Sequence, residues 1–226
     1  VSDKKEKLMV TIAVIDYDMG NLHSACKGLE KAGATTLITD SPSDLEKADA
    51  VVLPGVGAFD PAMQHIRSRH LEQPIKDIIA SSKPFLGICL GLHILFDGSE
   101  EGKETGLGII PGYVRRFRKE PNITIPHMGW NKLEFTQPQL PLWQNLGVEP
   151  YVYFVHSYYV DPVDASVCAA TVTHGSQTVT AAIARDNLMA VQFHPEKSAE
   201  SGLKILSNFV ELISSRQPSQ GLEKVA

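Results

Sequence analysis

Cysteine is scarce in this chain: three among 226 residues, Cys26, Cys89 and Cys168. An odd, sparse set does not build the disulfide framework of a small secreted protein, and no C-x-x-C pair suggests structural zinc. Long apolar runs are missing too. No stretch reaches the roughly 18 apolar residues of a membrane span, and the polar start, Val1 to Lys7, has no apolar signal region behind it. Positive charge is not in excess: 21 Lys and Arg against 26 Asp and Glu give a formal net charge of -5. That balance opposes the basic footprint of nucleic-acid binders. No repeat, low-complexity stretch or interdomain linker stands out. Membrane, collagenous, disulfide-rich and disordered classes are thereby excluded, and a reduced, cytoplasmic protein is expected.

What is there is ordinary for a globular chain: 43% hydrophobic and 21% charged residues. The length allows one domain with a self-sufficient core. Met9 to Ile15 reads as a strand buried on both faces. Asn21 to Ala32 has helical spacing and Gly33 suits its stop. Further strands are expected at Thr35 to Ile38, Asp49 to Leu53 and Lys83 to Ile88. Helical patterns cover Ala58 to Ala80, broken near Pro74, and Leu90 to Phe96. This alternation implies βαβ units and a parallel sheet. From Gly108 to Phe193 the segments are strand-like and turn-rich, and some should be antiparallel: Tyr113 to Phe117, Tyr151 to Val155, Val167 to Val172, Thr178 to Ala184 and Met189 to Phe193. A last helix is expected at Ala199 to Ser214. The reading is one α/β domain over 8–214, with 1–7 and 215–226 as frayed termini.

The sharpest local feature is Gly87-Ile88-Cys89-Leu90-Gly91, where a strand runs into a helix. This is the context of a nucleophile elbow with cysteine in place of serine. Flanking glycines relieve crowding around a strained central residue, and unpaired N–H groups at the helix start favour a thiolate. Cys26 and Cys168 lack such a turn and read as core residues. A thiolate needs a base, and the base an orienter. His194, in Val191-Gln-Phe-His-Pro-Glu196, arrives at the end of a short strand. Glu196 points to the same side if the segment stays extended, within reach of the imidazole. The third piece is Leu53-Pro-Gly-Val-Gly-Ala-Phe59, again at a strand end. Its glycines leave backbone N–H groups free for an oxyanion, with Leu90 N–H as the other candidate donor.

These three pieces, in this order, resemble the signatures of the class I (triad) glutamine amidotransferases over nearly the whole chain, Ile12 to Phe209. Four more resemble the glutaminase subunits of imidazole glycerol phosphate synthases: Asp16-Tyr-Asp-Met-Gly-Asn-Leu22, Pro126-His-Met-Gly-Trp-Asn131, Tyr153-Phe-Val-His-Ser-Tyr158 and Phe193-His-Pro-Glu-Lys-Ser198. The resemblance implies a flavodoxin-like α/β domain: a central, mostly parallel sheet flanked by helices, plus an additional mixed or antiparallel region. It implies that Cys89 attacks glutamine, that His194 moves protons and that Glu196 holds His194. Val56 and Leu90 would bind the oxyanion. Gly55, Gly57, His93, Glu101, His156, Ser157 and Tyr158 would surround the substrate. No metal and no cofactor is implied.

The implied partner is a (β/α)8-barrel cyclase subunit in a heterodimer, with Asn21, Trp130, Tyr153 and Lys197 near the interface and ammonia passing through an internal channel. No nucleic acid or membrane partner is implied. Where many relatives carry Gln four residues after the cysteine, this chain has His93, and Met19 stands where a smaller residue is usual. The Gly55-Val56-Gly57 turn is expected to hold its oxyanion N–H misdirected until the cyclase docks. Two rival readings share these residues. One is a sister amidotransferase or γ-glutamyl hydrolase, the other a binding module with an unreactive Cys89.

Overall fold

The structure, a computed structural model, describes residues 9–121 and 123–216. The expected frayed segments lie outside the described residues, except for Ser215 and Arg216, which close the last helix.

Among the described residues there are thirteen strands and six α-helices, alternating only in the first half of the chain. The first half contains β1 (Thr11–Ile15), α1 (Leu22–Lys31), β2 (Thr35–Thr39), α2 (Pro42–Lys47), β3 (Ala50–Gly55), α3 (Phe59–Ser68), α4 (Glu72–Ala80), β4 (Phe85–Cys89) and α5 (Leu90–His93). After it come β5 (Gly98–Ser99), β6 (Gly112–Arg116), β7 (His127–Lys132), β8 (Glu134–Phe135), β9 (Tyr151–His156), β10 (Tyr158–Pro162), β11 (Cys168–His174), β12 (Gln177–Arg185), β13 (Leu188–Val191) and α6 (Ala199–Arg216). The main sheet runs β2-β1-β3-β4-β13-β12-β10-β6-β5, with β11 and β8 branching from β12. Strands β2 to β13 along this order are parallel, and β12, β10 and β6 continue it antiparallel. A separate antiparallel pair joins β7 to β9. The expected parallel half and antiparallel addition are both present.

The parallel strands are covered on both faces, as their unbroken apolar runs require. Ile12, Val14, Val52, Leu86 and Ile88 belong to one core, while Ala13, Ile15, Val51, Leu53 and Phe85 belong to the other. The period of two sends alternate side chains to opposite layers. Each fully buried Ile, Leu, Val or Phe contributes about 1.5–3 kcal/mol. No helix among the described residues is long and apolar enough to cross a membrane.

Two expected helices differ. The segment after Ala58 breaks at 69–71, where His70 takes a φ of 57°, not at Pro74. Pro74 sits in the first turn of α4, where a missing N–H breaks no helical bond. The helix after Cys89 is one turn, ending at His93 rather than Phe96, so its macrodipole is small. Cys26 is buried as expected, but Cys168 is only half-buried at the start of β11.

Candidate active site

In an open parallel sheet, ligands bind beyond the carboxyl ends of strands beside the point where strand order reverses. Here order reverses between β1 and β3, and β3, β4 and β13 all end at one place. Gly55 pairs with Cys89 in register, and Val191 pairs with Ile88. Three segments far apart in sequence are thus delivered together.

Cys89 has a φ of 54° and a ψ of -108°, a strained conformation for a residue with a side chain. The glycines around it are steric necessities. A Cβ on Gly91 would lie 1.9 Å from the Leu53 carbonyl oxygen, and one on Gly87 would lie 2.9 Å from the Gly91 carbonyl oxygen. The turn therefore closes only with backbone against backbone.

His194 follows β13, and Pro195–Lys197 form a short 3-10 turn, not the extended segment expected. The turn still brings Glu196 Oε1 to 2.8 Å from His194 Nδ1, and both side chains are buried. Nδ1 is occupied, so Nε2 is left for the sulfur. Burial opposes charge on this imidazole, but hydrogen bonds to Cys89 and Glu196 and their negative charge prevail and push it up to about 9.

A cavity of about 290 Å³ opens over Cys89. Val56, Gly57, Leu90, His93, Glu101, His156, Ser157, Tyr158 and His194 line it, as do Pro126 and Val155. Gly55 lies behind it, packed so closely under Tyr17 that a Cβ would be 2.2 Å from the Tyr17 hydroxyl. Glu196 stands behind His194. Glu101 is half-buried, and its Oε2 accepts the Phe59 N–H at 2.9 Å. Burial raises this carboxyl, against that hydrogen bond and with help from the charge of Asp60.

The rim strand is fixed by a chain of neutral imidazoles. His156 Nδ1 donates to the Tyr158 carbonyl at 2.8 Å, leaving Nε2 to accept from His127 Nδ1 at 3.0 Å. Burial pushes both rings down, His127 to about 4.

In the free chain the Val56 N–H, the expected oxyanion donor, donates to the Met19 carbonyl at 3.0 Å. Gly57 beside it has a φ of 104° and lies against Met19: a Cβ there would be 2.8 Å from Met19 Cε. The turn is thus held by the loop after β1, and Leu90 N–H heads α5 next to the sulfur. His93 is almost fully buried, its Nε2 2.7 Å from Gln192 Oε1. Gln192 was not singled out from sequence. Its one signal was its place two residues before His194, on the same side of an extended strand.

Of the expected interface residues, Trp130 is 52% exposed and packs edge-on to Tyr153, its partner in the β7–β9 register. The Tyr153 N–H donates to Ser198 Oγ at 2.9 Å, next to the exposed Lys197. Asn21 is exposed and caps α1, its Oδ1 accepting from Ser24 N–H at 3.3 Å.

The family model for glutamine amidotransferase class-I matches residues 13–212. The chain is 77% identical over 205 residues to imidazole glycerol phosphate synthase subunit HisH of Gloeothece citriformis, covering 91% of this chain and 97% of that protein. It is 76% identical to the subunit of that name from Microcystis aeruginosa, with the same coverage. Among solved structures, PurLQS from Thermotoga maritima aligns with a TM-score of 0.72 at 17% identity, over 91% of this chain and 99% of that one. A glutamine amidotransferase from Thermotoga maritima aligns with a TM-score of 0.61 at 18% identity, over 91% and 98%. At such identities these two show a shared fold.

Proposed function

The chain belongs to the class-I glutamine amidotransferases, and from that premise we infer that it is the glutaminase subunit of an imidazole glycerol phosphate synthase, acting in histidine biosynthesis. The Cys89 thiolate attacks the side-chain amide carbon of glutamine, and the carbonyl oxygen becomes an oxyanion. His194 gives its Nε2 proton to the departing nitrogen, releasing ammonia and leaving a γ-glutamyl thioester. The now neutral His194 takes a proton from water, hydroxide attacks the thioester, and glutamate leaves as the thiolate returns. Glu196 holds the ring and stabilises its charge. Glu101 receives the substrate's ammonium group, and the backbone of His156 to Tyr158 receives its carboxylate, with Gly57 and His93 shaping the walls.

The observation that carries this reading is the His194–Glu196 bond of 2.8 Å beside Cys89 at the mouth of one cavity. Ammonia released into neutral water would be protonated and lose its nucleophilicity, so the product must be handed on under cover. The receiver is a (β/α)8-barrel cyclase subunit, docked over Trp130, Tyr153, Lys197 and Asn21 as a heterodimer in the cytoplasm. Replacing Cys89 by Ala should abolish glutamate release, alone and with the cyclase, while circular dichroism shows the chain folded. Glutamine hydrolysis that survives in the folded variant would refute the assignment.

A further inference from the structure

The β4–β13 pairing ends with Ile88 opposite Val191. The next residues, Cys89 at the end of β4 and Gln192 just past β13, therefore stand side by side. One turn of α5 returns His93, four residues after Cys89, to the same flank. The result is a buried chain of three side chains: His93 Nε2 is 2.7 Å from Gln192 Oε1, and Gln192 Nε2 is 3.9 Å from Cys89 Sγ. Gln192 is fully buried and His93 nearly so.

A carboxamide has an oxygen that only accepts and a nitrogen that only donates. Its orientation is decided by whichever neighbour has a fixed role. Burial keeps His93 neutral, down at about 4 despite its hydrogen bond to Gln192. The neighbour with the fixed role is the thiolate, which can only accept; the neutral His93 ring meets the amide oxygen at 2.7 Å in the tautomer that carries its proton on Nε2. The NH2 group then has to face the sulfur. Turned over, the amide would set its oxygen against a thiolate.

We propose that Gln192 is a second hydrogen-bond donor to the Cys89 sulfur, beside His194, and that His93 is the positioning residue that locks its amide in the donating orientation. The inference rests on the reading of Cys89 as the nucleophile. An N–H aimed at a buried anion is a charge-assisted bond, and it needs no reorganisation when the sulfur leaves the thioester as a thiolate. His93 thus acts on the sulfur through Gln192.

The test is alkylation of Cys89 by iodoacetamide across pH 6 to 9, on the full chain, with glutaminase kinetics measured in the presence of the cyclase and its ligand. Gln192→Glu keeps the shape but turns an oxygen on the sulfur. His93→Leu removes the lock. Each should slow alkylation at pH 7 roughly tenfold and move its pH midpoint up by about one unit. Each should lower kcat with KM held within about twofold. His93→Gln, whose amide can again donate to Gln192 Oε1, should recover most of what His93→Leu loses. Alkylation of His93→Leu at the native rate would overturn the proposal. So would a KM raised roughly tenfold with alkylation unchanged, which would make His93 a direct contact of glutamine. Alkylation of the native chain at Cys26 or Cys168 alone, located by peptide mass, would instead overturn the nucleophile reading itself.

Discussion

Lowering the pH from 7 to 5 should destabilise this protein through histidines that its core keeps neutral. His93 and His127 are held at about 4 in the folded chain, chiefly by burial. A free imidazole titrates near 6.5. Between those values the unfolded chain binds a proton that the folded chain refuses. The stabilising contribution is therefore whole above about pH 6.5 and is lost as the pH falls toward 4. Integrated from pH 7 to pH 5, one imidazole displaced this far costs about 2 kcal/mol, and the two together about 4 kcal/mol. Against a total of about 5–15 kcal/mol, that is a large share.

The perturbation that isolates one of them is His93→Gln, and the assay is urea unfolding of native and variant chains at both pH values. Carboxylates titrate in both chains and cancel in the comparison. His194, raised to about 9, acts on the other side: its contribution is whole below about pH 6.5 and is lost as the pH rises through 9. The variant should lose about 2 kcal/mol less than the native chain between pH 7 and pH 5. A gap below about 0.5 kcal/mol would show that His93 carries no such linkage and would refute the reasoning.

Gly91→Ala drives a methyl group to 1.9 Å from the Leu53 carbonyl oxygen. Neither backbone can yield without opening the β4–α5 turn, so a loss of about 3 kcal/mol is expected in thermal or urea unfolding, and an unchanged midpoint would contradict the steric account. With Val56 N–H bound to the Met19 carbonyl, the isolated chain should hydrolyse glutamine slowly. It should accelerate when the cyclase and its nucleotide ligand are added. Full turnover without the cyclase would rule out the gating.

The parts of this site that were legible in the sequence carry their constraint within a few residues. Gly87 and Gly91 answer to one turn around Cys89, and Pro195 to one strand end. The alternating βαβ pattern is likewise a sum of local periodicities, each able to bury one face. The short reach of α5 was not legible, because Ile94, Leu95 and Phe96 are apolar for the sake of the core they fill, and their spacing fits a helix equally well.

The missed parts are single hydrogen bonds between distant residues. Val56 N–H meets Met19 across 37 positions of sequence, His93 meets Gln192 across 99 and Phe59 N–H meets Glu101 across 42. Each contributes on the order of 1 kcal/mol, too little to shape composition or periodicity around it. Yet these bonds decide which way an amide or a peptide N–H points, and chemistry at the sulfur depends on direction more than on which residues are present. Met19 illustrates the point. As a side chain it was only an oddity of size; as a carbonyl it holds the Val56 N–H out of the cavity, a role any residue at that position could fill. The resting state of the turn proposed to bind the oxyanion is therefore set by backbone geometry in the β1–α1 loop. That loop leads directly into Asn21, one of the residues proposed for the cyclase interface, so a partner seated there would have a path to the proposed oxyanion donor, Val56 N–H, through three residues of chain.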